Sequence, residues 1–201
     1  MIIDFPIKED GTRHRYCIAC HSENINDVDV EGKKTYQCHE CGKLEERLID
    51  IDPKMSYWID DTTKEYWHES VGVFIFDSKN RILVFDRTIY PYNHTIPAGH
   101  LEKGEDPKSS AIRELREETG LIVNDLDHVV DEDVTNDLCR RGANCHRWHV
   151  YKGHVDVNEI VKITKHEGKD PKWLSIEELT NTKLTAPVEF LVKKYADKIL
   201  S

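Results

Sequence analysis

The sequence predicts an α/β fold with a mixed sheet, preceded by a small module held by cysteines. Three observations carry this. The apolar runs Val71–Phe76 and Ile82–Phe85, joined by Asp77-Ser-Lys-Asn80, read as a buried hairpin. A helix over 107–119, bounded by Asp106 and Gly120, follows them, and a second apolar helix closes the chain. Two Cys-x-x-Cys pairs lie in the first 45 residues. A chain of 201 residues has room for one core and one small unit. The expected division is a module at 12–45, a connector at 46–65 and the main domain at 66–201.

Cys17-Ile-Ala-Cys20 and Cys38-His-Glu-Cys41 have the spacing of two knuckles that give four thiolates to one tetrahedral Zn²⁺. Between them, Val28 and Val30, then Gly32, then Thr35-Tyr36-Gln37 predict two short strands around a turn, a zinc-ribbon pattern. So small a module has too little core to fold alone, so zinc is expected to supply its folding free energy. His14, His21 and His39 read as spectators, because four thiolates already close the site. Spaced pairs of this kind argue against a redox role.

From 46 to 65 the chain is charged, with Pro53 and Asp60-Asp61 and no sustained periodicity, hence a connector. Tyr57, Trp58, Tyr66 and Trp67 are expected to pack module against domain rather than to stack bases, since few Lys or Arg accompany them. Arg87 ends the hairpin and either stays solvated or touches substrate. Residues 94–98, His-Thr-Ile-Pro-Ala, lead into Gly99. Strands are expected over 126–134 and 146–155, with a loop over 136–144. His146, His149 and His154 have no paired-ligand spacing and read as structural or exposed, leaving Cys139 and Cys145 as free thiols. Ser175-Ile-Glu-Glu178 is a capping box, and the last helix, from Ala186 or Pro187, puts Val188, Leu191, Val192, Tyr195 and Ile199 on one face.

The helix at 107–119 starts well, with Asp106 as N-cap and Pro107 at a position that needs no N–H. Glu114, Glu117 and Glu118 fall within about a third of its circumference, beside a stripe of Ala111, Ile112 and Leu115. Like charges at this spacing repel by a few tenths of a kcal/mol per pair, roughly, and the helix C-terminus adds to the penalty. A hard divalent cation such as Mg²⁺ would offset it.

The full spacing is Gly99, five residues, Glu105, seven residues, Arg113-Glu114-Leu115, one residue, Glu117-Glu118, one residue, Gly120-Leu121. This resembles the Nudix box of Nudix hydrolases. The resemblance implies an α/β/α sandwich, Mg²⁺ or Mn²⁺ as cofactor, and hydrolysis of the diphosphate linkage of a nucleoside diphosphate derivative to a nucleoside monophosphate and a phosphorylated product. Glu114 and Glu118 then match the principal metal ligands, with Glu117 assisting. Arg113 and Glu105 match the pair bracing the loop, and Gly99 and Gly120 the turn glycines. The general base often lies outside the box, and Glu167 is the candidate there.

A four-cysteine ribbon before a Nudix domain is similar to NADH pyrophosphatases, which implies ADP-ribose or a dinucleotide such as NADH as substrate. That family's Ser-Gln-Pro-Trp-Pro-Phe-Pro type segment has no counterpart in residues 122–160. The competing readings are a nucleoside triphosphate pyrophosphohydrolase and a non-catalytic module that senses nucleotides or binds RNA. An isoprenoid isomerase is disfavoured by the intact box and the absence of cysteine between 42 and 138. The formal charge of −10, from 28 basic and 38 acidic residues without a basic block, argues against general nucleic-acid binding, though a capped RNA end stays open. No apolar stretch is long enough to span a membrane, and the Cys-x-x-Cys pairs suit a reducing, cytoplasmic setting. Monomer and homodimer both remain open.

Overall fold

The computed structural model describes residues 1–156 and 161–201. In chain order its elements are β1 (His14–Tyr16), β2 (Ile25–Val30), β3 (Lys33–Cys38), β4 (Leu44–Glu45), β5 (Ile49–Ile51), β6 (Tyr57–Ile59), β7 (Tyr66–Phe76), β8 (Ile82–Arg87), β9 (His94–Thr95) and β10 (Ala98–His100). They continue as α1 (Pro107–Thr119), β11 (Asp127–Thr135), β12 (Cys145–His154), β13 (Gly168–Leu174), α2 (Ile176–Thr180) and α3 (Ala186–Leu200).

The main sheet runs β11-β12-β7-β8-β13, with β6 and β10 also paired to β7 and β9 to β8. Among the described strands β12 and β7 pair in parallel and the other neighbours antiparallel, so the sheet is mixed as expected. The central strand β7 explains why its sequence is apolar without alternation, because both of its faces are covered. Val71, Val73 and Ile75 pack with Leu83, Ala111, Leu115 and Leu121 under α1. Phe74 and Phe76 pack with Val84, Val150, Val188 and Leu191 under α3. The result is an α/β/α sandwich. The edge strand β11 keeps Asp131, Glu132 and Asp133 because an outer strand tolerates, and gains protection from, charge.

The helix ends follow local chemistry. Asp106 accepts from the Ser109 N–H at 2.9 Å, and Gly120, at φ 74°, donates to Arg116 O at 2.9 Å, closing α1. The capping box of Ser175 and Glu178 is formed in full.

At the N-terminal side, β2, β3 and β4 make a three-stranded sheet. The β2–β3 turn has Glu31 and Gly32 at φ 54° and 78°, as a two-residue type I′ hairpin requires. Residues 46–65, expected as a bare connector, instead carry β5, which pairs with β1, and β6, which adds to the main sheet beside β7. Pairing decided this, since three-residue strands leave no periodicity to read. The aromatic group sits on that pairing: Trp58 stacks on Trp67 at 5.4 Å, and Tyr57 meets Tyr66 edge-on at 5.6 Å. Tyr66 is fully buried and donates to Asp50 O at 2.7 Å, so this ring packs rather than waiting for a base, while Tyr57, Trp58 and Trp67 are half-buried. No helix among the described residues is long and apolar enough to cross a membrane.

Leu191, fully buried between α3 and the sheet, tests the sandwich. Leu191→Ala should lower stability by about 2–5 kcal/mol through lost burial and the cavity left behind. Urea unfolding followed by circular dichroism reads this as a lower midpoint with an unchanged slope.

Candidate active site

The carboxylates of α1 face a cleft of about 390 Å³ that runs across the end of the sheet. Glu118 is buried, and its Oε2 accepts from the Ala98 N–H at 2.9 Å. Burial pushes its carboxyl well above the ordinary range, opposed by that N–H and by Arg87. Glu114 is pushed up for the same reason, with Arg113 opposing. Glu117 lies at the exposed rim. Buried carboxylates without enough positive charge are a hard-cation site in the making, so the donor set fits Mg²⁺ or Mn²⁺.

Gly99 is a strand residue of β10, not a turn residue as its match implied, and its φ is not left-handed. Its missing side chain matters for a different reason: a Cβ there would overlap the Glu114 carboxylate. Gly120 does occupy a left-handed turn. Arg113 grips Glu105 with two hydrogen bonds of 2.9 Å and donates to Glu114 at 2.7 Å, drawing the Glu105 carboxyl below its usual range. This fork ties the loop after β10 to α1.

Glu167 also lines the cleft and acts electrostatically on Glu114, Glu118 and Arg87. Arg87 lines it too, with a buried Nε that has no hydrogen-bond partner. Sequence reading had no means to choose between solvent and substrate for this residue. It missed Lys54, Tyr90, Asp137, Arg140 and Trp148, all cleft residues. Arg140 has no carboxylate partner among the described residues. The adjacent Arg140-Arg141 was the available signal, inside a loop that an acidic composition made easy to pass over.

The four ribbon cysteines converge. Cys17 and Cys41 sulfurs are 3.7 Å apart and those of Cys20 and Cys38 3.6 Å. A zinc tetrahedron with 2.3 Å bonds to sulfur has edges of about 3.8 Å, so the group fits structural zinc. His14, His21 and His39 lie outside this group, as expected of spectators. His146 is buried and Cys139 is a free, buried thiol. They meet His68 and His100 in a second group of donor atoms, within 4.8 Å of one another. Strand register caused the surprise, since His146 lies beside His68 across β12 and β7.

The sequence profile of the NUDIX domain matches residues 66–194. The chain belongs to the NUDIX family. Nudix hydrolase 25 of Arabidopsis thaliana is 39% identical over 72 residues, which is 36% of this chain and 41% of that protein. An RNA pyrophosphohydrolase of Pelagibacter ubique is 28% identical over 140 residues, 63% of this chain and 85% of its own length. The chain thus spans less than half of the first relative and most of the second. Among solved structures, a MutT protein from Methanosarcina mazei Go1 superposes with a TM-score of 0.57 at 20% identity, covering 67% of this chain and 96% of that one. This likeness shows the NUDIX fold.

The two box glycines should separate by mechanism. Gly99→Ala displaces the Glu114 carboxylate and should weaken Mn²⁺ binding about tenfold or more, the scale of a disturbed ligand shell. Gly120→Ala meets open space but strains the left-handed turn, and should lower stability by about 1–2 kcal/mol with Mn²⁺ affinity kept. Titration calorimetry and thermal unfolding of both variants check this.

Proposed function

We propose that this protein hydrolyses the diphosphate linkage of a nucleotide derivative with the help of Mg²⁺ or Mn²⁺. The observation that carries the reading is one cleft holding the half-buried Glu114 and the buried Glu118 together with Arg87, whose buried Nε has no hydrogen-bond partner among the described residues, and Arg140. Carboxylates suited to a cation and arginines free for phosphate oxygens are the two halves of a diphosphate site. A divalent cation bound there neutralises phosphate charge and lowers the pKa of a nearby water.

The chain's own residues supply the rest. Glu114 and Glu118 hold the cation and Glu117 assists from the rim. Arg113 and Glu105 keep the loop and helix in register, and the bare Cα of Gly99 leaves room for the Glu114 carboxylate. Arg87 and Arg140 bind and orient the phosphates. Glu167 takes the proton from water as its oxygen bonds to phosphorus. The bridging P–O bond breaks, and the leaving phosphate carries off the electron pair.

Among substrates the reading favours an ADP-linked compound, such as ADP-ribose or a dinucleotide. The pairing of a four-cysteine module with a NUDIX domain supports this. A second reading, the phosphorylated end of an RNA, is favoured by the relative named RNA pyrophosphohydrolase. The ribbon cysteines hold one Zn²⁺ that folds the module without entering the chemistry.

Hydrolysis in ¹⁸O-labelled water, with both products weighed, should place label on a phosphate of one product. Unlabelled products, or release of inorganic phosphate from monoesters alone, would exclude this reaction. A panel including ADP-ribose, NADH and a 5′-triphosphorylated RNA ranks the substrates. Glu118→Gln and Glu114→Gln should each lose several orders of magnitude in kcat while unfolding no earlier than the parent, because each removes a buried, repelled charge. Cys38→Ser with Cys41→Ser should lose one zinc by elemental analysis and the ordered ribbon with it.

A further inference from the structure

At the wall of the cleft, which His100, Cys139 and His146 also line, three imidazoles and a thiol converge from four separate parts of the chain. His68 comes from β7, His100 from β10, Cys139 from the loop before β12, and His146 from β12. We propose that these four residues bind a second Zn²⁺, a closed structural site that fastens the 136–144 loop to the sheet at the cleft wall. It is independent of the reaction assigned above.

Geometry is the first argument. All four donor atoms lie within 4.8 Å of one another, and the Cys139 sulfur is 3.6 Å from His68 Nδ1. With Zn–S near 2.3 Å and Zn–N near 2.05 Å, a tetrahedral edge between sulfur and nitrogen is about 3.6 Å. The spacing thus matches the ribbon's own cysteine group in scale.

Hydrogen bonding is the second. Three buried ring nitrogens lack a hydrogen-bond partner among the described residues, His68 Nε2, His100 Nε2 and His146 Nδ1; an ion that takes His68 through Nδ1 and His146 through Nε2 satisfies that of His100 directly. In an ordinary core each such atom would be penalised by about 1–3 kcal/mol, and natural proteins seldom gather three in one place. The rings are packed to face one another, with centroids 4.9 to 5.7 Å apart, rather than to face donors and acceptors.

The surroundings are the third. Asp137 Oδ2 is 3.0 Å from His146 Nδ1, off the hydrogen-bond axis, and accepts from Trp148 Nε1 at 2.7 Å. A small turn of the ring makes this the carboxylate–imidazole pair that orients metal-bound histidines, with Nε2 left for the ion. Arg47 donates to Cys139 O at 2.8 Å, fixing the cysteine backbone from the other side. A catalytic cysteine would need one neighbouring base to activate it. Here three imidazoles crowd a buried thiol. Two histidines on adjacent strands, one on a third strand and a soft sulfur select zinc over the hard cation of the carboxylate site.

The consequence lies in what the ion would join. His100 follows Gly99, over which the Glu114 carboxylate sits, and Cys139 precedes Arg140 at the cleft wall. One zinc therefore links the metal-binding and phosphate-binding sides of the cleft.

Zinc K-edge X-ray absorption on the full chain, purified without a histidine tag or chelator, decides the matter. The expected result is two zinc ions per chain and a mean shell of sulfur plus imidazole nitrogen. An all-sulfur shell, or protein that takes up no zinc beyond one ion per chain in that shell, overturns the proposal without any variant having to fold. Cys139→Ala should then drop to one zinc with sulfur ligands only, and the Cys38→Ser, Cys41→Ser chain should retain a nitrogen-rich shell. A Cys139→Ala protein that keeps both ions and the mixed shell also overturns it.

Discussion

The burial of the Glu118 carboxylate is the constraint on which the rest of this structure depends. An ionised carboxylate removed from water is penalised by several kcal/mol or more unless charge and hydrogen bonds meet it. One N–H, from Ala98, and the neighbouring Arg87 do so only in part. The helix that presents it is held by caps and a proline worth about 1 kcal/mol each, which cannot offset such a penalty alone. Tertiary packing must hold α1 in place, and the buried Ala111 and Leu115 supply it against β7. The charge imbalance is thus maintained by the core.

The opposite wall of the cleft depends on a different interlock. Arg47 donates to Cys139 O, Gly142 O, Ala143 O and Asn144 Oδ1, and the Leu48 and Asp50 N–H groups donate to Arg140 O and Arg141 O. A Cβ on Gly142 would lie 2.7 Å from Leu48 O, so the two backbones meet too closely for any other residue. Asp50, buried, receives a two-point grip from Arg13 and a longer contact from Arg141. Segments flanking the cysteine module therefore build part of the substrate wall of the NUDIX domain. This ties the N-terminal segments to the cleft through the 139–144 loop.

The sequence by itself determined what is encoded over short distances. Asp106, Pro107 and Gly120 set the ends of α1 because caps act within one turn, and the observed helix spans the expected 107–119. The apolar runs of β7 and β8 announced a strand pair covered on both faces, and the two Cys-x-x-Cys knuckles announced a sulfur tetrahedron, because ligand pairs on tight turns are local. The spacing of Glu105, Arg113, Glu114, Glu117 and Glu118 carried the family, since one helix and the loop before it present all five.

Only the tertiary structure decided the roles that depend on partners far away in the chain. Arg87 became a cleft residue because β8 turns it beside Glu118 and Glu167. The stretch 46–65 became two strands because β1 and β7 offered open edges, and backbone pairing leaves no side-chain signature in three residues. Gly99 is required by the Glu114 carboxylate above it, where its sequence position suggested a turn. His68, His100, Cys139 and His146 are spread over 79 positions, and the parallel register of His68 with His146 brings them together. Neither composition nor periodicity records a register between strands, because the free energy that sets it is the burial of whole faces rather than the preference of any one residue.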